Sequence, residues 1–285
     1  MSAGRGAARR FFRDKKAMAG LCIVLLEIAV VLLVPLLLPW GPNETDAAAG
    51  FWAAPSAVHW LGTDDVGRDI FARLLAGGRV SLFVGIASAG ISILVGAPLG
   101  IAAGYYRGSW EFVIMRLADV FQCFPSIVVI LCLVSLVGPS VFHIVWVIGI
   151  MGWPVIARLT YGETLAIRKK PYLDAAKLNG ASDRQILMGE VLPNASAPIW
   201  AALAFRVSRA ILSESSLSFL GVGIRTPQAS WGNLIQYANQ IAVLTMRPWV
   251  WLPAGLCILL TVLSVNQVGE GLQRAFNPKG KGGDG

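Results

Sequence analysis

Apolar residues in this chain come in long unbroken runs rather than along one helical face or at alternate positions. The runs cover about 17–39, 81–104, 112–136, 140–157 and 248–269, with a less apolar sixth at about 195–220. Each is close to the roughly 20 residues that a helix needs to cross a bilayer. In lipid a chain must satisfy its own backbone hydrogen bonds, so it spans as helices or as a closed barrel. The ten-residue alternation of a barrel strand is missing, which leaves helices. The pattern therefore predicts an all-α polytopic membrane protein with six transmembrane helices.

Polar segments separate the runs and divide the chain. Residues 1–16 form a basic N-terminus and 17–39 the first span. Residues 40–79 form an external segment and 80–270 a five-helix core. Within that core lies a polar inner loop at 158–193, and a tail follows at 271–285. With six spans both termini lie on one side. Sixteen of the 24 Lys and Arg residues then fall in inner segments and five in outer ones, as the positive-inside rule requires of cytoplasmic termini.

Composition narrows the class. The chain is 55% hydrophobic and only 14% charged, against about 25% charged in soluble domains. Its net charge of +8 follows from the topology and implies no nucleic acid. Cys22, Cys123, Cys132 and Cys257 sit inside apolar runs, with no metal-ligand spacing or disulfide framework. His59 and His143 are not expected to sit with a Cys or carboxylate cluster. No zinc-protease helix and no phosphate loop G-x-x-x-x-G-K-[ST] occurs. An enzyme is not expected, and any ATP and Mg must be bound by other subunits. A gradient-driven transporter working alone would need internal repeats and broken midplane helices; no repeat is visible.

The most polar stretch inside the core is 168–193, RKKPYLDAAKLNGASDRQILMGEVLP. It reads as two short helices. Pro171 suits a first helical position, and Gly180 a left-handed helix end. Ser182 and Gln185 form a capping-box pair, and Pro193 bars an unkinked continuation. Ala175 and Ala176 leave a bare backbone for a close partner. Asp174-Ala175-Ala176, Gly180 and Leu192-Pro193 resemble the EAA loop of ABC importer permeases, the coupling helix that docks on an ATPase. Asp174 stands where that family usually has Glu, and Glu190 where it often has Ile.

A second string, 61–82, LGTDDVGRDIFARLLAGGRVSL, resembles the peptide and nickel branch of these permeases through Gly62, Thr63, Asp64, Gly67, Arg68 and Asp69. Ala72 replaces a usual Ser. Ser213–Gly223, SESSLSFLGVG, resembles the same branch. The likeness covers about 60–275 and implies an ABC type I importer-like permease in a bacterial inner membrane. Its implied partners are a second permease, two ATPases and an external binding protein that delivers di- or oligopeptides. A nickel chelate or another small solute is the alternative cargo. The sixth run carries Arg206, Arg209 and Glu214, and a mid-bilayer charge costs about 2.5–3.5 kcal/mol on insertion scales. These three are the candidates for lining a cargo path; a buried cluster fixing helix register is the structural alternative. Glu27 in the first span should face the bundle interior or a partner.

Overall fold

A computed structural model describes residues 2–276; most of the tail, 277–285, lies outside the described residues. No strand occurs among them, only two isolated bridges, Thr45–Arg68 and Thr63–Asp69. Helix α1 spans Ser2–Arg13 and α2 Lys15–Leu33, extended by a short 3-10 turn, Val34–Leu36. Asp14 starts α2: its Oδ1 accepts from the amides of Lys16 and Ala17 at 3.1 and 3.2 Å, filling two of the free donors at a helix N-terminus.

An irregular segment then leads to α3, Ile70–Tyr106, the longest helix. Asp69 caps it, accepting from Ala72 N at 2.6 Å. The helix starts about ten residues before the expected second span, so the external segment ends at its cap. Helices α4 (Gly108–Cys123) and α5 (Ser126–Val137) follow and meet at an 86° bend at Phe124-Pro125. The third run is thus a broken pair rather than the kinked span expected, since Pro125 has no amide for the ladder and Phe124 before it is extended. Helices α6 (Val141–Met151) and α7 (Trp153–Arg168) form one near-continuous rod.

The polar loop folds as α8 (Pro171–Leu178) and α9 (Asp183–Ile186). A π-helical stretch, Leu187–Val191, leads into α10 (Leu192–Phe219). Short helices α11 (Trp231–Ile235) and α12 (Ile241–Met246) cover the opposite end, and α13 (Pro248–Phe276) closes the bundle. Helix α13 runs through Phe276, past the 271 at which the tail was expected to start.

Among the described residues, four helical stretches are long and apolar enough to cross a bilayer: Lys15–Leu36, Ile70–Tyr106, Val141–Arg168 and Pro248–Phe276. The bent pair would be a fifth. Helix α10 has the length but carries Arg206, Arg209 and Glu214 and falls short in apolar character.

Packing follows small residues. Along α3, Gly96, Gly100 and Gly104 face Trp153, Ala157 and Thr164 of α7 so closely that an added Cβ would strike them. Farther along the same line, Ser88 and Ser92 donate to the carbonyls of Val145 and Gly149 at 3.1 and 2.8 Å. The stripe is a helix-packing face, the usual means by which membrane helices approach at short range. Glu27 finds its partner on α13, where Thr261 Oγ1 donates to it at 2.8 Å. Outward-facing Leu25, Leu94, Leu136 and Leu259 are exposed, as a lipid-facing belt requires.

Candidate coupling and translocation sites

The 168–193 hairpin is anchored from below and open above. Leu173 and Ile186, both buried, pack with Ile101, Tyr105, Ile167 and Val191. Pro171 is at the first helical position, and the Ser182–Gln185 capping box forms in both directions. Gly180 takes φ +83° with open space around it, so the turn requires glycine for its backbone and not for room. Asp174, Ala175, Gly180, Leu192 and Pro193 are exposed, whereas Ala176 is half-buried and packs inward. The bare surface of α8 is therefore Ala175, flanked by exposed Tyr172 and Leu178. Pro193 does not stop the second helix. The chain widens to a π-turn at Leu187–Val191 and runs on into α10, with Pro193 in its first turn, where a missing amide costs least.

Three contacts tie this hairpin to the end of α3. Tyr105 Oη donates to Asp183 Oδ1 at 2.5 Å, Arg168 Nη1 donates to Tyr105 O at 2.7 Å, and Lys177 Nζ lies 5.1 Å from the Tyr105 ring centre. In the sequence, Gly104-Tyr105 with Arg116, Asp119 and Phe124-Pro125 resembles the same permease branch, but nothing in that pattern points to the contacts with Asp183 and Arg168.

The charges of α10 separate into two environments. Glu214 is fully buried. Ser218 Oγ donates to it at 2.7 Å, Ser81 Oγ at 3.1 Å and Ser215 Oγ at 3.5 Å. Ser81 in turn accepts from Trp231 N at 3.1 Å, and Ser218 from Ile224 N at 3.2 Å. This carboxylate joins α3, α10, α11 and the following loop, so it does not face an open route as expected; the serines that share its string consume its acceptor capacity. Arg206 is half-buried and reaches α3 and α6, with Nη2 3.3 Å from Ser92 Oγ and 3.5 Å from Ile148 O. Its guanidinium fills the space left by the absent side chain of Gly152. Arg209 is exposed.

The 61–82 string folds into a closed polar knot. Asp64 is fully buried; it accepts from Arg68 N at 2.9 Å and Arg68 Nε at 2.7 Å, and Arg73 Nε lies 3.4 Å away. Tyr237 Oη donates to Asp65 at 2.8 Å, joining the knot to the second outer segment. Burial, then the charges of Asp64 and Asp65, push that phenol's pKa upward. Thr63 Oγ1 donates to Gly50 O and accepts from Ala53 N, both at 2.9 Å. Gly62 and Gly67 turn the chain with positive φ. His59 bridges two acids, with Nδ1 2.8 Å from Asp69 Oδ2 and Nε2 3.2 Å from Asp46 Oδ2. Burial disfavours its charged form, but the Asp69 and Asp46 contacts outweigh that and raise its pKa above the ordinary 6.5. Gly62, Thr63, Asp64, Gly67, Arg68 and Asp69 are all buried, so they build this platform and present no free surface themselves.

The bundle shares its fold with a chain of the MetNI methionine ABC transporter, solved in inward-facing conformations. The match has a TM-score of 0.58 and 17% identity, and covers 73% of this chain and 98% of that one. That likeness is one of fold. Residues 96–281 match the family model of the binding-protein-dependent transport system inner membrane component, and the chain belongs to that family. Residues 2–55 also match the N-terminal transmembrane domain of oligopeptide transport permease C. Among relatives, a candidate peptide permease of Brucella suis is 38% identical over 96% of this chain and 90% of its own length. The dipeptide transport system permease of Alkalihalophilus pseudofirmus is 36% identical over 99% of this chain and 91% of its own.

Proposed function

We propose that this chain is the permease of a peptide importer, pairing with a second permease to form the path for di- or oligopeptides. Two ATPases, which hold the ATP and Mg, engage the Arg168–Pro193 hairpin, and an external binding protein delivers cargo over the 40–79 platform. The observation that carries the coupling role is α8 itself: fixed underneath by Leu173 yet exposing Tyr172, Ala175 and Leu178. Exposed apolar groups on an anchored helix suit a groove on a partner. Peptide cargo is supported by what the Brucella and Alkalihalophilus relatives are named for.

Two contacts support six crossings, with both termini at the cytoplasmic face of a bacterial inner membrane. Asp14 Oδ2 accepts from Arg274 Nε at 2.8 Å, so the start of α2 and the end of α13 lie at one end, which favours an even number. The Arg168–Tyr105 bond sets the ends of α3 and α7 together. The α6–α7 rod then starts at the far end, and the bent α4–α5 pair has to cross to reach it.

The test is reconstitution with the neighbouring permease, ATPases and binding protein in liposomes. ATP-dependent uptake of labelled dipeptide is expected, with little uptake of a nickel chelate. Uptake without an ATPase, or of the chelate in preference to peptide, would refute the reading.

A further inference from the structure

A cavity of about 580 Å³ opens between α4 and α7. Its wall carries Glu111, Phe112, Met115, Arg116, Asp119 and Arg158. The charges are paired at rest. Arg158 Nη2 donates to Asp119 Oδ1, Arg116 Nη1 lies 3.5 Å from Asp119 Oδ2, and Tyr161 Oη donates to Glu111. None of these pairs is sealed: the side chains of Arg116, Arg158 and Asp119 remain 66%, 49% and 39% exposed.

The cavity lies toward the hairpin end of the bundle. Arg168, at the end of α7, bonds Tyr105 O just before α4 starts at Gly108. Charges there face water or protein rather than hydrocarbon. The cavity volume is in the range of small-molecule sites, and Phe112 and Met115 supply the apolar wall such sites have.

We propose that this cavity is a cargo station on the inner side of the path, which holds a zwitterionic peptide by both ends. The peptide carboxylate replaces Asp119 on Arg116 and Arg158, and its ammonium is received by Asp119 and Glu111. Opening the two ion pairs of Asp119 while forming charge-assisted contacts at both peptide ends leaves no charge unpartnered, so cargo enters and leaves without a large barrier. This rests on the peptide-importer reading above and adds a place within the permease where the termini are recognised.

The experiment uses the complete assembly in liposomes, with Met115→Cys in this chain and labelling located by mass spectrometry. A polar methanethiosulfonate should modify the introduced thiol. An unblocked dipeptide should slow that modification severalfold, and the same dipeptide acetylated and amidated at its ends should not. Adding Asp119→Asn with Arg158→Gln should leave labelling intact and abolish the protection. A thiol that stays unmodified, equal protection by the blocked peptide, or protection that survives the double substitution would each overturn the proposal. Peptide uptake measured in the same vesicles separates the two readings: an assembly that moves no peptide defeats the importer reading, whereas one that moves it with an unprotected cavity defeats only the station.

Discussion

Tyr105, at the end of the longest helix, donates its phenol to Asp183 in the 168–193 hairpin at 2.5 Å, while its own carbonyl holds Arg168. One residue thus joins the end of α3 to both sides of the hairpin. On the proposed reading, a displacement of α8 by an ATPase would be passed to α3, and through the glycine-lined contact to α7. Tyr105→Phe removes one hydrogen bond worth about 1 kcal/mol. The expected result is an assembly that still hydrolyses ATP but transports severalfold less peptide per ATP. An unchanged ratio of uptake to hydrolysis would show that the phenol carries no coupling.

Gly180 makes a sharper case, because its strain is local. A β-branched residue held at φ +83° costs about 1–2 kcal/mol, although there is room for it. Gly180→Val should loosen the α8–α9 turn and uncouple hydrolysis from uptake, and Gly180→Asn, which tolerates that conformation, should retain most coupling. Ala175→Asp should weaken ATPase co-purification by placing a charge on the exposed face. Ala176→Asp should instead destabilise the hairpin, since Ala176 packs inward.

Glu214 and Arg209 should respond differently to loss of charge. Glu214→Ala strands the hydroxyls of Ser81 and Ser218 in a buried site, and should cost about 1–3 kcal/mol of stability. The check is thermal unfolding in detergent, with uptake per folded molecule retained by Glu214→Gln. Arg209 is exposed, so Arg209→Gln should leave the melting temperature unchanged and lower uptake of unblocked peptides. Equal melting temperatures for Glu214→Ala and the parent would contradict the burial.

The external platform should depend on pH through His59. Its pKa is raised in the folded state, so the stabilisation is fully present below the ordinary value of 6.5 and is lost as pH rises through the raised one. Protease digestion of the 40–69 segment should therefore accelerate from neutral to alkaline pH. His59→Gln should flatten that profile and raise cleavage at pH 6; a profile unchanged by the substitution would remove His59 from the platform's stability.

Much of the coupling hairpin was legible in the sequence because its signals are local. A proline at a helix start, a glycine at a left-handed turn and a Ser–Gln capping pair act within four residues, and each appears where the spacing put it. Five of the six apolar runs likewise correspond to long apolar helices or the bent pair. The 86° bend at Phe124-Pro125 was legible only as a kink, since its size depends on what packs on either side.

Hydropathy and local caps, which are properties of neighbouring residues, determined by themselves that this chain is helical, that it lives in lipid and that its polar hairpin stands apart from the bundle. Only the tertiary structure decided that Glu214 is enclosed by serines rather than open to a route, that Asp64 and His59 knit a platform, and that Tyr105 joins hairpin to span. Those outcomes bring together residues up to 173 positions apart, as in Asp64 with Tyr237. The side a buried charge faces is set by the helices packed around it, and no pattern along a single helix encodes that.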